Sequence, residues 1–200
     1  MSLAQRDYAT AYGYFGERLT LERPLGARSP MASCLARQGL TAMRLKRFEA
    51  ASAHYEEAAE AFGDIDDAEG VLRATVGLAS VDISSADLAS AARRLAACLP
   101  MATDLGEDVA VAEYVDACAW LIALRGRPDT GVRLAAAASS WEDPSPAGHA
   151  FGDAAILSPD DFPAALRPDL GDAAYENAAK EGTTMTLTEA LAVAATELST

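Results

Sequence analysis

The apolar and small residues of this chain follow a helical spacing that itself recurs every 40 residues. Tyr8, Phe48, Leu88 and Pro128 are 40 apart, each just after a polar or glycine-containing turn: Gln5-Arg6-Asp7, Lys46-Arg47, Ser84-Ser85-Ala86-Asp87 and Arg125-Gly126-Arg127. The pattern predicts a helix opening at each. Three residues on stand Ala11, Ala51, Ala91 and Gly131, and four further along the same face Phe15, Tyr55, Leu95 and Ala135. A column held to alanine and glycine marks two helices that cross too closely for a larger side chain. A second small column, Gly39, Ala79 and Ala119, precedes the first by 12 residues in each unit, with Leu35, Thr75 and Val115 four residues before it. Two such columns predict helical hairpins, each packed on the next. Gly26, Gly63 and Gly106 stand where second helices should stop, since glycine takes positive φ at little cost.

Beyond Trp141 the period breaks. Glu142-Asp143-Pro144-Ser145-Pro146-Ala147-Gly148-His149 carries two prolines and a glycine and predicts a loop. Ser158-Pro159-Asp160-Asp161 has the order of a helix N-cap, another helix is expected near Asp172, and Thr186-Leu187-Thr188-Glu189 forms a capping box. The chain therefore divides into a repeat array over 1–142 and a loop with a helical cap over 143–200, packed together as one domain.

Composition narrows the class. Half of the 200 residues are hydrophobic but only 6% are aromatic, and alanine dominates, which favours closely packed helices over a sheet. Thirty acidic against 16 basic side chains give a net charge of −14, a field that repels a phosphate backbone and excludes direct nucleic-acid binding. Cys34, Cys98 and Cys118 are odd in number and lie in apolar stretches, as reduced core thiols of a cytoplasmic protein do. No apolar run is long enough to span a bilayer.

The spacing resembles the tetratricopeptide (TPR) repeat. Gly39, Ala51, Tyr55 and Ala58 match its small, small, aromatic and alanine positions in order. Ala79, Ala91, Leu95 and Cys98, then Ala119, Gly131, Ala135 and Ala138, follow suit. The usual tryptophan of the first helix is absent and the period exceeds the standard 34 residues, which resembles the longer-helix, MalT-like variant in sensor regions of bacterial ATP-binding transcription regulators. The ending adds to this: Leu170-Gly171, an aromatic helix from Asp172 through Tyr175 to Gly182, and Met185-Thr186-Leu187-Thr188-Glu189-Ala190 resemble the C-terminal close of LuxR-type regulators. The resemblance implies a right-handed α-solenoid of about three and a half helix pairs with a C-terminal cap. It further implies a non-catalytic protein- or ligand-binding sensor segment of a parent whose ATPase and DNA-binding parts lie elsewhere.

Catalytic chemistry finds little support in the residues. His54 sits one residue off the core column, and His149 lies in the proline-rich loop. Cysteines and histidines never occur at metal-ligand spacings, and the acids Asp64, Asp66, Asp67 and Glu69 lack the glycine and distal glutamate of a calcium loop. No nucleophile elbow is present and no cofactor is expected. Repeat geometry instead points to a concave channel along the first helices, with Leu40, Met43, Ile83 and Trp120 as an apolar floor and Arg44, Arg73, Glu113 and Asp116 at its rim. Its expected occupant is a protein, a peptide or a small apolar ligand; alternatively these side chains pack against further repeats or the cap. A free-standing TPR scaffold, a homodimer through alanine-rich faces and a small-molecule enzyme with a site in the groove are the competing readings.

Overall fold

A computed structural model describes residues 7–106, 109–141 and 162–199, and a helix opens at each of the four expected positions. These are α1 (Tyr8–Leu25), α3 (Phe48–Gly63), α5 (Leu88–Leu105) and α7 (Pro128–Trp141). Between them run α2 (Arg28–Arg44), α4 (Ala68–Ser84) and α6 (Val109–Leu124). A 3-10 turn (Ala164–Leu166) leads into the short α8 (Arg167–Leu170), then α9 (Asp172–Gly182) and α10 (Leu187–Leu198). The fold is all-helical, with no strand among the described residues and each helix packed on its neighbours. No helix there is long and apolar enough to cross a membrane.

Both small columns are buried throughout, because they are where the helices cross. Gly131 shows how tight the crossing is: a Cβ added there would lie 2.7 Å from the Ala123 Cβ and 2.8 Å from the Ala119 carbonyl oxygen. Asp7, Asp67 and Asp87 cap α1, α4 and α5, each accepting the backbone N–H three residues on. The first helices α2, α4 and α6 lie side by side. At the C-terminal end α9 packs on α7, while α10 folds back over α5, α6 and α7 and puts Ala190, Leu191, Ala194 and Leu198 into their core. The Thr186–Glu189 capping box at the start of α10 is formed on both sides. The segment Ser158–Asp161 and His149 lie outside the described residues.

The turns carry a finer register than the sequence displays. Lys46 (φ 58°), Asp66 (φ 55°), Ala86 (φ 65°) and Gly126 (φ 89°) all take the left-handed conformation, spaced by multiples of 20 residues. Each closes the same pair of bonds: Lys46 N–H donates to Met43 O and Arg47 N–H to Ala42 O, and the sets at 66–67, 86–87 and 126–127 repeat this. This is the two-bond closure that satisfies the last carbonyls of a helix. Gly26 (φ 62°) and Gly106 (φ 69°) end their helices at positive φ as expected, but Gly63 does not: it is the last residue of α3, and the left-handed position falls three residues later, on Asp66. Aspartate tolerates that conformation better than most residues, so glycine is not required there. Alanine has no such compensation. Ala86→Gly is therefore expected to raise the unfolding free energy by about 0.5–1 kcal/mol, and Gly126→Ala to lower it by about 1 kcal/mol, in urea titrations followed by circular dichroism.

All three cysteines are free and buried. Burial pushes the Cys98 thiol up to about 11 and the Cys118 thiol up to about 12, so both stay protonated and act as small apolar side chains.

Candidate functional site

On α2, Ser29, Ser33, Ala36, Arg37 and Leu40 follow one another at helical spacing, so they share one face. That face looks across a cleft of about 210 Å³ toward the start of α4, where Asp67, Glu69, Gly70 and Arg73 lie, and toward Glu113 of α6. Tyr55 and Phe62 of α3, two turns apart, form its floor. Gly70 allows this closeness: a Cβ on it would stand 2.2 Å from the Phe62 ring, so only glycine lets the first turn of α4 rest on that aromatic. Asp67 fixes the same turn by accepting the Gly70 N–H at 2.8 Å.

The cleft's polar groups form a ladder in the 40-residue register. Ser33, Arg73 and Glu113 are 40 apart, one on each first helix, and all three line it. Arg73 joins two acids, its Nη1 lying 2.7 Å from Glu69 Oε1 and its Nε 3.2 Å from Glu113 Oε2. The Arg73 and Glu113 side chains are only 16% and 14% exposed, so water screens their pairing across α4 and α6 far less than it would at the open surface. Burial pushes the Tyr55 hydroxyl well above the ordinary phenol range, with the charge of Glu113 adding to the shift, so the phenol stays protonated. The cleft thus offers hydroxyl and guanidinium donors, carboxylate acceptors, and an apolar bed of Ala36, Leu40, Phe62 and the Tyr55 ring.

Three of the eight residues expected to line a groove, Leu40, Arg73 and Glu113, meet in this cleft. Met43 and Ile83 are buried in the core instead, at 5% and 4% exposure. Each lies one turn beyond its small column, in line with Gly39 or Ala79, and that line faces the second helix rather than the channel. Arg44 stacks 6.0 Å from the centre of the Tyr8 ring. Asp116 is half-buried on α6, away from the cleft lining. Trp120, in the same column as Leu40, is covered by the chain itself: the Phe162 ring lies 6.4 Å from it, tilted by 48°. At the C-terminal end Trp120 therefore packs beside the ring of Phe162, away from the cleft lining.

Ser29, Ser33, Arg37, Tyr55, Phe62, Asp67, Glu69 and Gly70 were not read from the sequence as lining residues. For the α2 group the signal was present: counting back from Leu40 by 4, 7 and 11 residues gives Ala36, Ser33 and Ser29. His54 is not part of the cleft. Its Nε2 lies 3.0 Å from the Tyr12 hydroxyl, and burial lowers its pKa below the usual imidazole value. Among the described residues no three histidine, cysteine, aspartate or glutamate side chains are grouped to hold a metal ion. No protein-family model matches the chain, and no curated protein or solved structure is similar to it.

Proposed function

We propose that this chain is a non-catalytic peptide-binding repeat domain, a right-handed α-solenoid of about three and a half TPR-like helix pairs with a helical cap. Within a larger bacterial transcription regulator of the LuxR type it serves as the cytoplasmic sensor segment. The observation that supports this reading is the cleft across α2, α4 and α6, with its Ser33–Arg73–Glu113 ladder over the aromatic floor of Tyr55 and Phe62. Its size argues for side chains of a peptide rather than a whole drug-sized ligand, since about 210 Å³ falls below the roughly 300–1,000 Å³ such ligands occupy. The polar ladder argues for a peptide with charged groups over a purely apolar ligand. A charged side chain entering the cleft competes for Arg73, the residue that ties α4 to α6. Occupancy thereby shifts how neighbouring hairpins pack, which is how a sensor array transmits binding to domains beyond it.

Selection of a random peptide display library on the folded chain tests the proposal. Enriched peptides are expected to lose affinity about tenfold with Arg73→Ala and about thirtyfold or more with Leu40→Trp, whose indole fills the bed. Peptides that bind both folded variants as tightly as the parent would remove the cleft from the proposal. Failure to enrich any sequence would remove peptide binding.

A further inference from the structure

Two tyrosines are buried among the described residues, and they differ in one respect. Tyr114 donates its hydroxyl to the Leu95 carbonyl at 3.0 Å. Tyr55, 4% exposed and kept protonated by burial, makes no hydrogen bond with any described residue, although it lines the cleft across α2, α4 and α6. Unlike the Gln38, Thr130 and Arg133 atoms that are shut away from solvent unpartnered, its oxygen reaches the open space of the cleft. Buried donors are almost always satisfied, so one that opens on a cleft marks where the acceptor of a ligand belongs. The same place holds a guanidinium. Glu113, whose charge acts on the Tyr55 hydroxyl, is the acid that Arg73 Nε meets at 3.2 Å.

We infer that the cleft takes a carboxylate side chain of its peptide, which replaces Glu69 on Arg73 and accepts the Tyr55 hydroxyl hydrogen. This rests on the peptide-binding reading and names the group recognised there. Arg73 Nη1 already holds a carboxylate, that of Glu69 at 2.7 Å, in an i, i+4 pair whose acid is 40% exposed; such pairs contribute little and exchange readily. The other acids are committed, Glu113 to the sheltered side of Arg73 and Asp67 to the Gly70 N–H. Glu69 is thus the group that yields. The exchange leaves the charge of the cleft unchanged, since one carboxylate enters as another turns out into water. A lysine ammonium would meet Arg37 on one wall and Arg73 on the other and offers Tyr55 no acceptor. An uncharged amide accepts from Tyr55 but competes poorly with Glu69 for a guanidinium.

Titration of the full chain with N-acetylglutamate N-methylamide and with its glutamine counterpart, followed by NMR of the tyrosine rings and arginine Nε–H groups, tests the inference apart from any peptide selection. The glutamate probe is expected to bind, and the glutamine probe about tenfold more weakly. Tyr55→Phe is expected to weaken the glutamate probe about tenfold through loss of the donor. Glu69→Gln is expected to tighten it about three- to tenfold, because the competitor for Arg73 is gone. Both variants should keep the circular dichroism spectrum of the parent. A glutamate probe that does not bind, equal binding of the two probes, Tyr55→Phe without loss or Glu69→Gln without gain overturns the inference. So do enriched peptides that need no acidic residue, which leave peptide binding itself standing. Failure to enrich any peptide counts against that reading instead, and the probe titration does not depend on it.

Discussion

Gly77→Val is expected to lower the unfolding free energy by about 3 kcal/mol in urea titrations monitored by circular dichroism, among the largest single losses available in this chain. The cause is one aromatic ring. A Cβ on Gly77 would stand 2.4 Å from Tyr55 Cε1 and 2.5 Å from its Cζ, far inside contact distance. The ring has nowhere to go, since it is 4% exposed and a Cβ on Gly39 of α2 would lie 2.8 Å from its Cγ. Swinging away from α4 carries it toward α2, where a second glycine leaves equally little room. Tyr55 is thus a knob set against two helices whose side chains have been removed to admit it. Tyr55→Leu alone costs part of the burial and contact energy of the ring, yet in the Gly77→Val background it removes the clash, so the double variant is expected to be more stable than the two separate losses add up to. Simple additivity would show that the ring and the glycine are not coupled. Since Tyr55 also floors the cleft, Gly77→Val is expected to weaken any peptide selected there.

The Tyr55 pocket also shows what could be read in advance. Small residues at 39, 51, 79, 91, 119 and 131 are visible in the sequence because close crossing bars anything larger, and the structure buries every one of them. Helix starts at Tyr8, Phe48, Leu88 and Pro128 were legible for a related reason: each resumes the apolar period right after a turn. The turns themselves were not. Glycine marks the positive-φ positions 26, 106 and 126 of the 20-residue register, but Lys46, Asp66 and Ala86 give no compositional sign that φ is positive. The two backbone bonds that close each helix end accompany the conformation, at a cost that the propensity of these residues does not reveal.

The candidate site divides in the same way. Arg73 and Glu113 were legible because they repeat at the same point of successive first helices. Met43 and Ile83 were misplaced by one helical face, a distinction of a single turn that apolar character alone does not settle, since core and channel both accept it. Trp120 fails for a different reason. Its partner Phe162 is 42 residues away across the break in the period, and no local pattern announces that contact. Long-range closure of the array by its own C-terminal segment belongs to tertiary structure, so it becomes visible only there.

Closure at that end rests on another glycine, and Gly182→Ala is expected to release α9. A Cβ on Gly182 would lie 2.1 Å from the Arg133 carbonyl oxygen and 2.8 Å from the Ala136 Cβ. Here the obstacle is backbone, and α7 does not yield, because Val132, Leu134, Ala135 and Ala137 anchor it in the core. The movement falls on α9, which buries only Ala178 and Gly182 and so has little holding it elsewhere. A clash of this kind costs about 2–3 kcal/mol, enough to lower the hydrogen-exchange protection of α9 by roughly 30- to 100-fold. The loss is expected to stay local. α10 keeps its own anchor through Ala190, Leu191, Ala194 and Leu198, and α9 packs mainly on α7 and α8, away from α2 to α4. Both tryptophans report on the affected end, Trp120 against Phe162 and Trp141 as the last residue of α7, so their emission should shift to longer wavelength. Peptide affinity at the α2–α4–α6 cleft should remain that of the parent, the reverse of the effect of Gly77→Val. Exchange that quickens throughout the chain, or a cleft that weakens with the cap, would mean that the two ends fold as one cooperative unit rather than as neighbours in an array.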